Sequence, residues 1–225
     1  MLVLTVVAAF MLATIARAEP TSAPPACRYD DVLTRHVDYG EWQRTLVDTA
    51  HRLPEGYSPP DLAPVSEAGL PGRGKVRSLV MDDLRSLVEE ARSAGLELVS
   101  VSAYRSYSYQ VGTFQSWTKR LGYDRAVEVS ARPGHSEHQL GTAIDFGTLG
   151  AKAPWDFADW RKTREGAWLA ENAWRFGFVM SYPRFRQHIV CYDYEPWHYR
   201  YVGPEAAQEI REAELTLREW LWLQQ

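Results

Sequence analysis

Two short segments that carry metal-binding side chains lie about sixty residues apart in this chain, and its fold has to bring them together. The first runs from Ser136 to Asp145 with the sequence SEHQLGTAID, and the second is EPWH, from Glu195 to His198. They offer two imidazoles and one carboxylate as ligands, and they leave Glu195 free to act as a base. A catalytic zinc site keeps three such protein ligands and an open position for water. The pair therefore predicts a zinc-dependent hydrolase.

The candidate zinc ligands are His138 and Asp145 from the first segment and His198 from the second. Gly141 permits the close turn that would let His138 and Asp145 face one metal ion. The spacing leaves other readings open, because both histidines are also consistent with hydrogen-bonded structural residues, and Asp145 with a cap. Four further residues are rival ligands by type and position: His135, Glu137, His188 and Asp193.

Glu195 is the candidate catalytic base, but its spacing from His198 is awkward. On an extended strand, residues three positions apart point to opposite faces, so a bend at Pro196 is needed for both to reach the metal. In the predicted chemistry, zinc activates a water and polarises a carbonyl, and the glutamate passes the water proton to the leaving amine. A cation is needed near the developing oxyanion, and Arg105 at a strand end is the best candidate. Arg132 is a second cation that could meet a peptide carboxylate.

Hydrophobic periodicity predicts a single α+β domain in which a small antiparallel sheet is flanked by helices and carries the zinc site. Helical spacing extends over residues 29–52, 75–94, 108–121, 165–176 and 204–223. Strands are predicted over residues 96–103, 142–146, 178–180 and 195–201. The Pro- and Gly-rich residues 53–74 are predicted to form a long irregular surface loop.

The N-terminus predicts export. Residues 2–15 are almost wholly apolar and are followed by Ala16-Arg17-Ala18, an arrangement typical of a signal peptide over residues 1–18 and too short for a comfortable membrane span. Residues 19–74 then form a linker, a helix and a loop, and residues 75–225 the main domain. The net charge of -4 gives no reason to expect a nucleic-acid partner. In an oxidising compartment the only two cysteines, Cys27 and Cys191, are expected to form a disulfide.

Three strings resemble the VanY-type D-alanyl-D-alanine carboxypeptidases of the LAS-type zinc peptidase group: YRSYSYQ (104–110), PGHSEHQLGTAIDF (133–146) and EPWHYR (195–200). The similarity covers about residues 75–203, followed by a C-terminal helix over 204–223. It implies that His138, Asp145 and His198 bind Zn²⁺ and that Glu195 is the base. It also implies that Arg105 stabilises the oxyanion or holds the terminal region of the substrate. It further implies that Ser136 and Gln110 contact the terminal D-alanine or its carboxylate. His135 falls at a variable position and is expected to be a solvent-facing loop residue.

The resemblance implies an exported zinc-dependent D,D-carboxypeptidase that removes the terminal D-alanine from peptidoglycan stem peptides. L,D-carboxypeptidase activity on tetrapeptide stems and peptidoglycan endopeptidase activity use the same groups and stay open as alternatives. A non-catalytic peptidoglycan-binding module is the alternative outside enzymes, and the intact Glu195 argues against it. No membrane span is expected after signal cleavage, and the oligomeric state is not predicted.

Overall fold

The computed structural model describes residues 23–225, so the predicted signal peptide over residues 1–18 lies outside the described residues. The strands are β1 (Val32–Leu33), β2 (His51–Arg52), β3 (Leu62–Pro64), β4 (Lys75–Arg77), β5 (Leu98–Ser102), β6 (Ala143–Thr148), β7 (Phe178–Met180) and β8 (His198–Tyr201). The α-helices are α1 (Met81–Ser93), α2 (Tyr107–Leu121), α3 (Tyr123–Val129), α4 (Arg164–Asn172), α5 (Gln187–Val190), α6 (Pro204–Glu212) and α7 (Leu217–Leu223). Within residues 23–225, no helix is long and apolar enough to cross a membrane.

A four-stranded antiparallel sheet in the order β5-β6-β8-β7 forms the centre of the molecule. Helix α1 turns a stripe with Leu84, Leu87 and Ala91 inward, and the rings of Phe146 and Phe178 belong to the same buried cluster. Apolar burial of this kind stabilises a fold by roughly 25 cal/mol per Å². The predicted α+β architecture, a small antiparallel sheet flanked by helices, is confirmed.

The segment between the N-terminus and α1 differs most from the prediction. The helix predicted over residues 29–52 is absent, and β1, a short 3₁₀ turn and β2 take its place. Its apolar residues form no single stripe, because Val32 and Leu33 are exposed whereas Leu46 and Val47 are buried. The predicted surface loop over residues 53–74 contains β3, and its apolar side chains are core residues: Leu53, Tyr57, Val65, Ala68 and Leu70.

Three predicted helices have different bounds, and the one predicted over residues 165–176 ends as an α-helix at Asn172. The helix predicted from Lys75 starts at Met81, because the preceding residues pair with β3 as β4. The helix predicted over residues 204–223 is broken into α6 and α7. Thr216 starts α7 with a capping box to Glu219, which satisfies free backbone N–H groups at the new N-terminus. The periodicity missed α3 and α5, which are short.

A disulfide between Cys27 and Cys191 joins the N-terminal segment to the residue that follows α5, as predicted. Arg218 of α7 donates to the carbonyls of Pro25 and Ile189, which flank the two half-cystines. The disulfide therefore holds the N-terminal segment against the C-terminal half of the chain.

Replacing both half-cystines, Cys27→Ser with Cys191→Ser, should lower the free energy of unfolding by about 2–3 kcal/mol. The reason is that the cross-link restricts a loop of more than 160 residues in the unfolded chain. Urea unfolding of the oxidised parent chain and the double variant measures the difference, and the reduced parent chain serves as the control. Equal midpoints for all three proteins would contradict the prediction.

Candidate metal centre

The three predicted ligands meet beside the paired strands β6 and β8 of the central sheet. Asp145 of β6 lies directly opposite His198 of β8 in the strand register. His138 lies in a 3₁₀ turn before β6 that ends at Gly141 with φ 74°. A Cβ at Gly141 would come within 2.9 Å of the Leu62 side chain, so the turn requires glycine both for its conformation and for its packing. One ligand atom from each of the three buried residues lies within 4.8 Å of the others.

His138 has its protonation pattern set by its neighbours. Its Nδ1 is 2.7 Å from the carbonyl oxygen of Ala103 and donates to it. Its Nε2 is 2.7 Å from Nη2 of Arg105, and since a guanidinium can only donate, this nitrogen is unprotonated and accepts from Arg105. The same Nε2 atom lies 3.3 Å from Oδ2 of Asp145. Burial, and then the charge of Arg105, lower the pKa of His138 to about 4, so the ring is neutral as metal binding requires.

His198 uses its two ring nitrogens in the opposite way to His138, with Nδ1 and not Nε2 facing Asp145. Its Nε2 donates to Oε2 of Glu137 at 2.8 Å, and its Nδ1 faces Oδ1 of Asp145 at 3.1 Å. Burial opposes a charge on this ring, but the hydrogen bonds to Asp145 and Glu137 outweigh it and raise the pKa of His198 to about 10. The ring of Tyr182 covers His198 at a centroid distance of 4.8 Å. His198 therefore presents Nδ1, and His138 presents Nε2, to the same point.

This donor set fits zinc. Two imidazole nitrogens and one carboxylate oxygen converge, and the second nitrogen of each imidazole is held by an acceptor, Ala103 for His138 and Glu137 for His198. Metal-binding histidines almost always have such a partner, because it fixes the ring and the tautomer. Three protein ligands leave a position for water, which is the arrangement of a catalytic rather than a structural zinc site.

Glu195 lies beside the donor set. The backbone N–H of His198 donates to the carbonyl of Glu195 at 3.1 Å, which closes a turn through Pro196. The predicted bend is thus present, whereas the predicted strand over residues 195–201 begins only at His198. Oε2 of Glu195 is 3.9 Å from Nδ1 of His198. Burial raises the pKa of Glu195 to about 7, against the opposing charge of His198, so the carboxylate is well matched to proton transfer near neutral pH.

Arg105 reaches the centre from the residues that follow β5. Its Nη2 donates to Oδ2 of Asp145 at 2.8 Å, its Nε to Oγ of Ser102 at 3.0 Å and its Nη1 to Oε1 of Gln110 at 3.3 Å. Gln110 is buried. Its amide nitrogen donates to the carbonyl of Ala131 at 2.7 Å, and its amide oxygen accepts from Arg105. Ser136 is buried directly before the 3₁₀ turn. The substrate contacts expected of Gln110 and Ser136 stay predictions.

The rival residues have other partners. The expectation that His135 faces solvent is wrong: it is 1% exposed and contacts the Asp48 carbonyl and the Asp31 side chain. Asp193 pairs with the Arg125 side chain, and His188 is exposed on α5. Arg132 donates to Asp31 and to two carbonyls of the N-terminal segment, so these contacts occupy the second candidate cation.

Glu137, a rival ligand by type and position, contacts a candidate ligand and lies outside the group of three that converges. It accepts from Ser181, His198 and Arg200. Burial alone would raise the pKa of Glu137, but the hydrogen bond from His198 and the charge of Arg200 bring it below its ordinary value. Its position directly before His138 was the only sequence signal, and adjacency does not distinguish a ligand from a ligand's partner.

A centre of this kind belongs to the mononuclear metallohydrolases, in which three protein ligands leave one position for water. The family model described as VanY, D-alanyl-D-alanine carboxypeptidase, matches residues 73–204 of this chain. The chain belongs to the VanY family. The family is the one predicted from the sequence, and its enzyme class, a zinc carboxypeptidase, and Zn²⁺ as cofactor are confirmed at the level of the family.

Among relatives, the chain is 37% identical over 179 residues to YodJ of Bacillus subtilis strain 168, a protein provisionally assigned as a carboxypeptidase; the match covers 78% of this chain and 65% of YodJ. Two solved structures are similar over most of their length. The LD-carboxypeptidase LdcB has a TM-score of 0.71 and 34% identity, covering 79% of this chain and 84% of LdcB. A mutant of the vancomycin resistance D,D-pentapeptidase VanY, in complex with Zn(II), has a TM-score of 0.68 and 30% identity. The match covers 80% of this chain and 99% of the VanY chain.

Proposed function

We propose that this protein is an exported zinc-dependent carboxypeptidase that hydrolyses the terminal D-alanine from peptidoglycan stem peptides. The observation that carries the proposal is the convergence of His138, Asp145 and His198 within 4.8 Å, with Glu195 beside them, in a chain of the VanY family. The disulfide between Cys27 and Cys191 supports an oxidising compartment and hence export.

Zn²⁺ held by His138, Asp145 and His198 would supply an activated water and polarise the scissile carbonyl. Glu195 takes the proton from that water and returns it to the amine of the departing D-alanine. Arg105, already held by Ser102 and Gln110, stabilises the negative charge that develops on the carbonyl oxygen. Nη2 of Arg105 also contacts Nε2 of His138 and Oδ2 of Asp145, so it would have to release these contacts when the two residues bind zinc.

D,D-cleavage of pentapeptide stems is the first candidate activity, in line with the family description and the VanY neighbour. L,D-cleavage of tetrapeptide stems is the second, because LdcB has the higher TM-score of the two solved structures above. The two activities share the same metal, base and cation and differ in the residue before the scissile bond.

The test is incubation of the purified zinc-loaded protein with a defined pentapeptide muropeptide and, separately, the tetrapeptide, followed by mass spectrometry. Loss of one alanine from the pentapeptide supports D,D activity, and loss of one alanine only from the tetrapeptide supports L,D activity. Internal fragments of the stem would identify an endopeptidase. No mass change in either substrate, with zinc supplied, would overturn the proposed function.

Replacing the oxyanion partner, Arg105→Met, should lower kcat about 100-fold with zinc still bound, because one preorganised donor to the developing charge is lost. Initial rates of D-alanine release, with zinc content measured on the same samples, check this. Arg120→Met on the exposed face of α2 is the matched control and should keep full activity. Equal rates for the Arg105 variant and the control would remove Arg105 from this role.

A further inference from the structure

Glu137 is a buried carboxylate whose two oxygens both have partners but which is not one of the three metal ligands. It is 4% exposed. Its Oε2 accepts from Oγ of Ser181 at 2.6 Å and from Nε2 of His198 at 2.8 Å, and its Oε1 accepts from Nη1 of Arg200 at 3.3 Å. A buried carboxylate is costly unless it is paired and hydrogen-bonded. The complete set of partners around Glu137 therefore indicates that it has a specific role beside His198.

The position of Glu137 relative to the His198 ring separates it from the ligands. Glu137 contacts Nε2, whereas Asp145 faces Nδ1 on the other side of the same imidazole. A metal bound by Asp145 and His198 would therefore lie away from the oxygens of Glu137. An ionised carboxylate only accepts, so Glu137 holds a hydrogen on Nε2 of His198, and Nδ1, which faces Asp145 at 3.1 Å, is the nitrogen that would give up its hydrogen to a metal.

Arg200 connects this pair to a part of the chain outside the region that the VanY family model matches. It is 0% exposed and lies on β8 two positions after His198. Its Nη2 donates to the carbonyls of Trp42 at 3.0 Å and Thr45 at 2.8 Å. Both carbonyls belong to the N-terminal segment, before residue 73 where the match begins. The two backbone acceptors fix the guanidinium, and the guanidinium in turn fixes Oε1 of Glu137.

We propose that Glu137 is a positioning residue that holds the Nε2 hydrogen of His198 and so presents Nδ1 to the metal, and that the N-terminal segment supports it through Arg200. The inference rests on the proposed function, since it assumes that the centre binds zinc. Without Glu137 the ring is free to rotate, and either nitrogen can carry the hydrogen. Partners of this kind typically contribute 10- to 100-fold to metal affinity, on the order of what we expect here.

The first test needs no variant. Long-range ¹H–¹⁵N NMR spectra of the zinc-loaded parent chain, with ¹⁵N-labelled histidine, report which nitrogen of each ring binds the metal. We expect His198 to bind through Nδ1 with Nε2 protonated, and His138 to bind through Nε2. Binding of His198 through Nε2 would overturn the inference even if every Glu137 variant failed to fold.

The second test is zinc affinity by competition with a chromophoric chelator. Glu137→Gln should bind zinc about 10- to 100-fold more weakly, because one amide cannot accept from both His198 and Arg200. The matched control is Glu89→Gln, an exposed carboxylate on α1, which should bind as the parent chain does. A purely structural role would lower the unfolding midpoint of Glu137→Gln and leave the zinc affinity of the folded protein unchanged.

These measurements distinguish failure of the role proposed for Glu137 from failure of the proposed function. If the parent chain binds zinc tightly and Glu137→Gln binds it equally well, only the role of Glu137 is overturned. If the parent chain does not bind zinc, both this inference and the proposed function are overturned. Arg200→Lys keeps the charge but cannot reach two carbonyls and Glu137 together, so its zinc affinity should fall in the same direction. An unchanged affinity in that variant would remove the N-terminal segment from the inference.

Discussion

Glu195→Gln should retain zinc at the parent affinity and lose at least about 10³-fold in kcat, on the order of 4 kcal/mol of transition-state stabilisation. Glutamine has nearly the same shape but cannot accept the proton of the activated water. Oε2 of Glu195 lies 3.9 Å from Nδ1 of His198, outside hydrogen-bonding distance, so the substitution breaks no hydrogen bond to that ligand. The measurement pairs D-alanine release from a pentapeptide muropeptide with zinc content after gel filtration.

Glu97→Gln, an exposed carboxylate directly before β5, is the matched control for the charge change. It should turn over at the parent rate. Full turnover by Glu195→Gln would remove Glu195 from the role of base. Loss of zinc by that variant would instead assign Glu195 to the ligand set.

The approach of the three candidate ligands was predictable because the residue types that bind zinc occur in two compact strings that resemble those of the VanY-type enzymes. Asp145 and His198 come to lie opposite each other in the register of β6 and β8, and Gly141 allows the turn that carries His138. The turn at Glu195 was also deducible, because an extended strand would have separated its side chain from that of His198. Spacing alone left four rival ligands open, and the resemblance was needed to single out this candidate set.

The partners of the ligands were not predictable, because they depend on contacts between distant segments. Glu137 and His198 are 61 positions apart, and Arg200 contacts a carbonyl 158 positions away. The helix predicted over residues 29–52 of the N-terminal segment was wrong for the same reason. Its apolar residues are buried by other segments, as Leu53 is with Leu140, so their periodicity carries no information on helix formation.

Asp48→Asn should lower the free energy of unfolding by about 4 kcal/mol at pH 7, because it breaks a buried ion pair that anchors the N-terminal segment to α7. Oδ2 of Asp48 accepts from Nε of Arg218 at 2.7 Å, and Oδ1 accepts from the backbone N–H groups of Ala50 and His51. The side chains of Asp48 and Arg218 are only 4% and 5% exposed. The variant leaves the Arg218 charge buried without its carboxylate.

The effect should depend on pH in a defined direction. Burial alone would raise the pKa of Asp48, but the hydrogen bond from His51 and the charge of Arg218 hold it far below its ordinary value of 3.8. A lowered pKa in the folded state means that the stabilisation is fully present above the unfolded pKa and is lost as the pH falls towards the folded one. The difference between the parent chain and Asp48→Asn should therefore be constant from about pH 6 to 8 and shrink steadily below about pH 4.

Urea unfolding at pH 7, 5, 4 and 3 measures this difference, with Asp82→Asn as the matched control. Asp82 also pairs with an arginine, Arg85, but its side chain is 97% exposed, and exposed pairs contribute about 0–1 kcal/mol. A control effect as large as that of Asp48→Asn would mean that burial does not decide the strength of these pairs. A difference for Asp48→Asn that stays constant down to pH 3 would show that the lost stability comes from packing and not from the carboxylate charge.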